Sequence, residues 1–378
     1  MTIHVYKSTD LLAPTFSAAA GGLLTVLDAC LVNGYATVAW AGAGNLTQTG
    51  NVATFTATSA HGLVTGDYVT VAGATQSDYN ITAIVTVSSS VIFTYPVSNN
   101  PASPATGSPT CKKAGAQYTI NQTGTNIRTY RAGTGNQFVL GVDDTSATQV
   151  RIRGYDSASA AGVAAGSGTN PAPTDVQFSG GLYGNKAAMT TGYWVLVSNR
   201  KMFYFFQTNA TNNCSFGHGD FTSYVAADAY NSIVFGQTNT GTSAAIYPIG
   251  RISMTLTSVA AAVGSYATRS YNQSSTSAPC GFGQDSFKSN QSISGLNSMT
   301  VTYPSPVEGG VNLSPIWVYE GVSGVRGHLP GLWAICAPLP FTDFSTVYGA
   351  GTFAGKTFLA ISNPTLYQCL LEVSDTWA

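Results

Sequence analysis

The side chains with the most chemical potential fall in a few short segments. Asp143-Asp144 is a paired carboxylate, and His218-Gly219-Asp220 sets an imidazole two residues from a carboxylate. Such pairs serve general acid–base catalysis when geometry brings them onto one substrate atom. His61 lies in HGLVTGD and His328 in VRGHLPG, both next to glycines. Each has a structural reading beside the chemical one. Asp143-Asp144 falls where a hairpin should turn, and Asp is favoured there because its carboxylate accepts hydrogen bonds from nearby backbone. A calcium site or a glycosidase pair would need further oxygen ligands or a second carboxylate at a defined distance. Glycines around His218 and His328 mark tight loops as readily as they mark an exposed base, and His61 reads as a turn residue bonded to backbone. The sequence holds no G-x-S-x-G elbow, no phosphate-binding G-x-x-x-x-G-K-S/T loop and no H-E-x-x-H helix. The expectation is a protein that is not an enzyme, with no cofactor and no metal site.

The elements that must position these groups are strands. Phe138, Leu140 and Val142 alternate with Val139, Gly141 and Asp143, and after DDTSAT the residues Val150 and Ile152 alternate with Gln149, Arg151 and Arg153. Period-two alternation on both sides of a turn predicts a hairpin, and a sheet built on it is expected at the centre of the main domain. Arg128–Arg131 would add a neighbouring strand. Arg151 and Arg153 share one face and are candidate subunit-interface residues, placed to reach acidic groups of a neighbouring copy. YWVLVS (193–198) and MFYFFQT (202–208) flank the turn Asn199-Arg200-Lys201, and their nearly continuous apolar arms predict a hairpin buried on both faces. Tyr193, Trp194, Phe203, Tyr204, Phe205 and Phe206 could stack on sugars, or fill a core. Residues 229–237, 245–259, 298–303 and the segments SPIWVYEG, GLWAICAPL, TFLAIS and YQCLLEVS read as further strands, and 157–174 and 260–297 as loops.

One helix is expected, over 18–33, from the spacing of Leu23, Leu24, Leu27, Cys30 and Leu31, with Gly34 as its stop. Residues 45–113 carry short strands separated by turn residues and end in the proline-rich SNNPASPATGSPT. They predict a small inserted β-barrel or sandwich, with 1–44 and 114–378 as the two parts of the main domain and a possible subdivision near 260. The fold class is all-β: a β-sandwich-like main domain, one amphipathic N-terminal helix and the insert.

Composition sets the surroundings. Charged residues are 8% of 378 and net charge is −1, against roughly 25% charged in an average soluble domain. Bulk charge therefore attracts neither nucleic acid nor an anionic membrane. Twenty Tyr, seventeen Phe and forty-one Gly suit pleated surfaces and turns. Cys30, Cys111, Cys214, Cys280, Cys336 and Cys369 show no CxxC spacing; they read as buried thiols or as one or two disulfides. The N-terminus lacks a basic segment followed by an apolar run, so no signal peptide is expected.

HGLVTGDYVTVAG resembles a module common in tailed-phage structural proteins, carried here by His61, Gly62, Leu63, Gly66, Asp67 and Val69, then Tyr79 and Asn80. Most of the main domain resembles a family of virion structural proteins of tailed bacteriophages. Five separated blocks carry that likeness in order: SAAAGGLLTVLDACLVNGY (17–35), TYRAGTGNQFVLGVDDTSATQVRIRGY (129–155), GDFTSYVAADAYNSIVFG (219–236), VRGHLPGLWAICAPLP (325–340), and AGKTFLAIS with LEVSDTW (371–377). After Tyr155 an alanine/glycine loop stands where the commonest form has a more ordered acidic segment. The resemblance implies a virion location after synthesis in the host cytoplasm, and no enzymatic role. The implied partners are other virion proteins and further copies of the chain, in the tail (baseplate, tail tip or collar) or as a capsid decoration protein. A host-surface glycan-binding adhesin is a third reading.

Overall fold

In the computed structural model, two successive arms, Tyr193–Ser198 and Met202–Thr208, have an apolar side chain at almost every position. Such a strand can be stable only where both of its faces are covered. They pair antiparallel, Val195 opposite Phe206 and Val197 opposite Tyr204, and form the middle of the molecule. The structure describes residues 3–158, 166–167, 182–186, 193–208, 213–236, 265–274, 278–283, 309–320, 324–335, 341–363, 367–374 and 376–377.

The middle sheet runs from His4–Lys7 through that hairpin to Asn213–Asp220, Ser232–Phe235 and Ser265–Ala267. It continues through Ala278–Gly283 into an outer sheet of Leu313–Glu320, Gly324–Ile335, Tyr367–Glu372, Thr357–Asn363 and Thr346–Tyr348. Alternation sorts the side chains into two cores. Trp194, Leu196, Phe203, Phe205 and Phe216 join one cluster, with the helix residues Leu23, Leu27 and Leu31 and with Leu140, Val142 and Ile152. Val195, Val197, Tyr204, Phe206 and Phe235 join the other, with Ile316, Val318, Leu332, Leu359 and Leu371 of the outer sheet. The order of layers is therefore helix and hairpin sheet, middle sheet, outer sheet. Each buried Leu or Phe contributes roughly 1.5–3 kcal/mol, so these two cores dominate the stability.

The expected hairpin is present: Val139–Asp143 pairs with Gln149–Tyr155, and Ile127–Arg131 adds the neighbouring strand. It is not the centre of the body. Its five-stranded sheet is one outer layer, because one of its faces carries Gln149 and Arg151 while the 193–208 hairpin is apolar on both. The helix is also shorter than expected. It spans Gly22–Leu27 and ends in a π-helical stretch, Asp28–Asn33. Gly21 caps its start with φ 79, and a side chain on Gly22, the first helical residue, would meet the Ser17 carbonyl. Gly34, with φ 81, closes it as expected.

The insert is a sandwich of two four-stranded sheets around Leu46, Phe55, Val69, Val71, Tyr79, Phe93 and Tyr95. It differs from expectation at both ends. Val38–Ala39, assigned by the sequence to the main domain, pairs with Gly107–Lys113, and Val38 lies in the insert's core. The second half of the proline-rich segment is itself a strand, Gly107–Lys113, with a partner on each side. Pro109 is tolerated because its nitrogen faces the end of the two-residue strand Val38–Ala39, where its carbonyl still accepts from Trp40 N–H at 3.1 Å. Residues of HGLVTGD and Asn80 make the turns: Leu63 N–H donates to His61 Nδ1 at 3.0 Å, Val64 N–H to Asp67 at 3.0 Å, and the Asn80 amide bridges the Ala74 backbone at 2.9 and 2.8 Å. Lys113 clamps the insert to the body, 3.1 Å from both Asp10 and Asp67.

Two expected loops contain pairing. Ser157–Ala158 pairs with Gly166–Ser167 inside 157–174, and Ser265–Ala267 and Ala278–Gly283 are strands inside 260–297. These Ser-, Ala- and Gly-rich pieces have no alternation of their own and take their register from neighbours. The expected strands at 245–259 and 298–303 lie outside the described residues. Among the described residues no helix is long and apolar enough to cross a membrane.

Candidate binding face

The outer sheet offers two faces. Along Leu313–Glu320 burial alternates strictly: Ser314, Ile316, Val318 and Glu320 point inward, and Leu313, Pro315, Trp317 and Tyr319 point outward. At one end the outward row is covered. Trp333, opposite Pro315, takes the ring of Phe353 edge-on at 4.7 Å, and Leu313 packs with Phe341, Val347, Phe353, Phe358 and Leu370. At the other end, Trp317 stands opposite His328 and Tyr319 opposite Val325.

There the segment Thr222–Ser223 pairs onto Gly327–His328. A side chain at Gly327 would lie 2.0 Å from the Thr222 carbonyl, so glycine is what admits this segment. It delivers Tyr224, which is 55% exposed. The Tyr224 hydroxyl and His328 Nδ1 are hydrogen-bonded at 2.9 Å. Ring centroids lie 6.0 Å apart for Tyr224 and Trp317, 5.7 Å for Tyr224 and His328, and 6.3 Å for Trp317 and His328.

Beneath this triangle lies a buried ion network. Arg326 is 2% exposed. Its guanidinium grips Asp228 with two bonds of 3.0 Å and Glu320 with one of 2.9 Å. It also donates to the carbonyls of Tyr230 and Arg269. Burial alone would pull Arg326 down, but the carboxylates outweigh it and its pKa rises. Burial likewise pushes Asp228 up, and Arg326 brings it below the usual carboxylate range. The network reaches the surface directly: Ser223 Oγ donates to Asp228 at 2.7 Å, and Tyr224 N–H to the Arg326 carbonyl at 2.8 Å. Arg269 stacks 4.0 Å over the Tyr230 ring and pairs with Asp156, and Tyr271 N–H is held by Glu320. A bidentate, fully bonded arginine is the arrangement in which a buried charge is well satisfied. It fixes the backbone of Tyr224 and so the orientation of the aromatic triangle.

Apart from His328, the groups singled out from sequence fall elsewhere. Asp143 caps its own turn, accepting from Thr145 N–H at 3.1 Å and Thr145 Oγ at 2.7 Å. Asp144 is fully buried; it caps the helix through Leu23 N–H at 2.8 Å and Leu24 N–H at 3.3 Å, and it pairs with buried Lys186. His218 is in register between Phe203 and Val234 in the first core, and burial pulls its pKa down to about 3. No bond joins it to Asp220, whose carboxyl is raised to about 6 by burial against the pull of Asn136 N–H and Lys201. Arg151 and Arg153 part company: Arg151 is exposed beside the turn, while Arg153 is 3% exposed. Arg153 lies opposite Gly141, and the space that a side chain there would fill is taken by the Tyr155 ring. Of the aromatic set, Trp194, Phe203, Tyr204, Phe205 and Phe206 are core and Tyr193 is exposed. Cys30, Cys111, Cys280 and Cys369 are buried thiols raised by burial, Cys111 and Cys280 to about 12; the side chains of Cys214 and Cys336 lie outside the described set.

Only His328 of the aromatic triangle was among the sequence candidates. The alternation of LSPIWVYE does carry a signal, since it puts Pro315, Trp317 and Tyr319 on one face. Compared with known proteins, the chain matches no family model and no curated protein.

Proposed function

We propose that the chain is a structural component of a tailed-phage virion that acts by protein–protein assembly, with a tail position (baseplate, tail tip or collar) preferred over a capsid decoration role. The resemblance of five ordered blocks supports it, as does the nearly uncharged all-β surface. The geometric observation that carries the reading is how the reactive groups are used. Asp143, Asp144, Asp228 and Glu320 each spend their bonding capacity on a cap, a turn or an internal ion pair. These groups hold a shape, and a shape is what an assembly part contributes.

The test is a reconstruction of the phage particle at side-chain resolution. The chain should occupy a symmetric position and bury about 1,000 Å² or more against each specific neighbour. A purified chain that stays monomeric, together with a complete particle map in which no density fits it, sinks the reading. The glycan-binding alternative is favoured by one observation, the aromatic face over Arg326.

A further inference from the structure

We propose that the face formed by Trp317, Tyr224 and His328 is a stacking site for a neutral saccharide. The inference is independent of the virion assignment.

Size decides first between a small ligand and a protein partner. An aromatic side chain offers at most about 150–250 Å², and only part of that is outward here. Three such rings give a few hundred Å² at most, well short of the roughly 800 Å² per partner of a stable protein interface. They match one or two sugar rings. A pyranose presents a patch of C–H bonds on one face and hydroxyls around its edge. It is recognised by a flat aromatic surface with polar groups at the rim, and the rings of Tyr and Trp combine both. Trp317 supplies the larger plane. The Tyr224 hydroxyl, already aligned by His328 at 2.9 Å, supplies a polar atom at the rim.

Charge then selects the class of sugar. The ionic groups nearest the face are Arg326, Asp228 and Glu320, and their side chains are 1%, 1% and 8% exposed and paired with one another. Among the described residues, Trp317, Tyr224 and His328 bring no carboxylate or ammonium to the face, so an acidic glycan gains no counter-charge from them. Preorganisation is the third argument. Tyr224 is tied by its N–H to Arg326, and the preceding Ser223 by its hydroxyl to Asp228. Binding therefore costs little ordering of the protein.

The test is a titration of the full-length chain, followed by tryptophan fluorescence and saturation-transfer NMR. The probes are a panel of neutral tetrasaccharides (α- and β-linked glucans, a mannan, a galactan and chitotetraose), with a polysialic acid tetramer as the charged control. We expect at least one neutral probe to bind, and the acidic one not to. Trp317→Ala and Tyr224→Ala should each weaken binding at least tenfold, and Tyr348→Ala, an exposed tyrosine elsewhere on the same sheet, should leave it unchanged. Should Trp317→Ala fold poorly, Tyr224→Ala and the saturation-transfer contacts of the wild-type chain decide the matter. No binding across the neutral panel overturns the proposal. So does binding that survives both substitutions, or an effect of both confined to contact with another protein chain. A chain absent from the particle that still binds a neutral probe through Trp317 would sink the virion reading alone.

Discussion

The two ends of the outer sheet's outward face begin from the same pattern and finish differently. Along Leu313–Glu320 every second residue points away from the core. At the Leu313 end, the segment around Phe353 folds over Trp333 and makes a small core of its own. At the Tyr319 end, the covering segment stops at Tyr224 and contributes one more aromatic ring to the surface. An outward aromatic residue is thus core or surface depending on whether a distant segment lies over it. What lies beneath differs as well. The covered end rests on apolar packing, whereas the open end is held from below by Arg326. An exposed face gains little from burial, so bonded charge takes over the work of fixing it.

The strongest way to break this contrast is to remove the charge. Arg326→Met should cost about 3–5 kcal/mol, because Asp228 and Glu320 are left buried without a partner. Urea denaturation measures the loss, and a cost below about 1 kcal/mol would mean the network does not hold the open end. Between pH 7 and pH 4, acid should act on the middle of the molecule. His218 and His4 are held down to about 3 and about 4 in the folded chain. Below pH ~6.5 the unfolded chain binds their protons and the folded chain does not, so stability falls as pH falls. Asp220, raised to about 6, works in the opposite sense between about pH 6 and pH 4, since there the folded chain holds the proton. His61, lowered, and Asp144, raised, oppose each other in sign. His4 and His218 against Asp220 alone give about one proton, or ~1.4 kcal/mol lost per pH unit in that window. Thermal unfolding across pH 4–7 should show that slope, flattened in His218→Leu and steepened in Asp220→Asn; an unchanged slope in both would place the acid sensitivity elsewhere.

Smaller effects sharpen the comparison. Phe353→Ala strips the cover from Trp333 and should cost about 1–3 kcal/mol, less than the usual value for a fully buried Phe. Acrylamide quenching of tryptophan emission should rise with it, turning the covered end into a second open one. Trp317→Ala removes an outward ring at the open end and should cost under ~1 kcal/mol, with its main effect on saccharide binding. If Trp317→Ala proved as costly as Phe353→Ala, both ends would be core and the open face would be lost as a site.

Much of this was legible before any coordinates. The alternation around Gln137–Tyr155 specified a hairpin and its neighbour, since a half-buried strand cannot hide its period of two. The apolar arms at 193–208 announced burial on both faces. The turn reading of His61 came from glycine placement alone. Other features were not legible for a physical reason. Asp144 caps a helix 121 residues away, and no local pattern encodes that distance. Pro109 in a strand with two neighbours depends on how soon the short strand Val38–Ala39 ends, not on its own segment. Arg153 is buried and Arg151 exposed although both lie on the same strand face: Arg151 stands at the turn end of the hairpin, opposite Asp143, and Arg153 lies further into the sheet.

By itself, then, the sequence determined the class of the protein: strands wherever apolar residues alternate or run on, turns at Gly, Asn and Asp, a small β insert, and a surface nearly without charge. Those properties follow from local sterics and from the need to bury apolar faces. Only the tertiary structure decided which outward rows are covered, which charges meet beneath the surface, and that Tyr224, Trp317 and His328 share one open face. That choice rests on contacts about a hundred residues apart in the chain, such as Tyr224 with His328 at a separation of 104. Solvent exposure is set by the segment that arrives from elsewhere, and a local pattern cannot say whether one does.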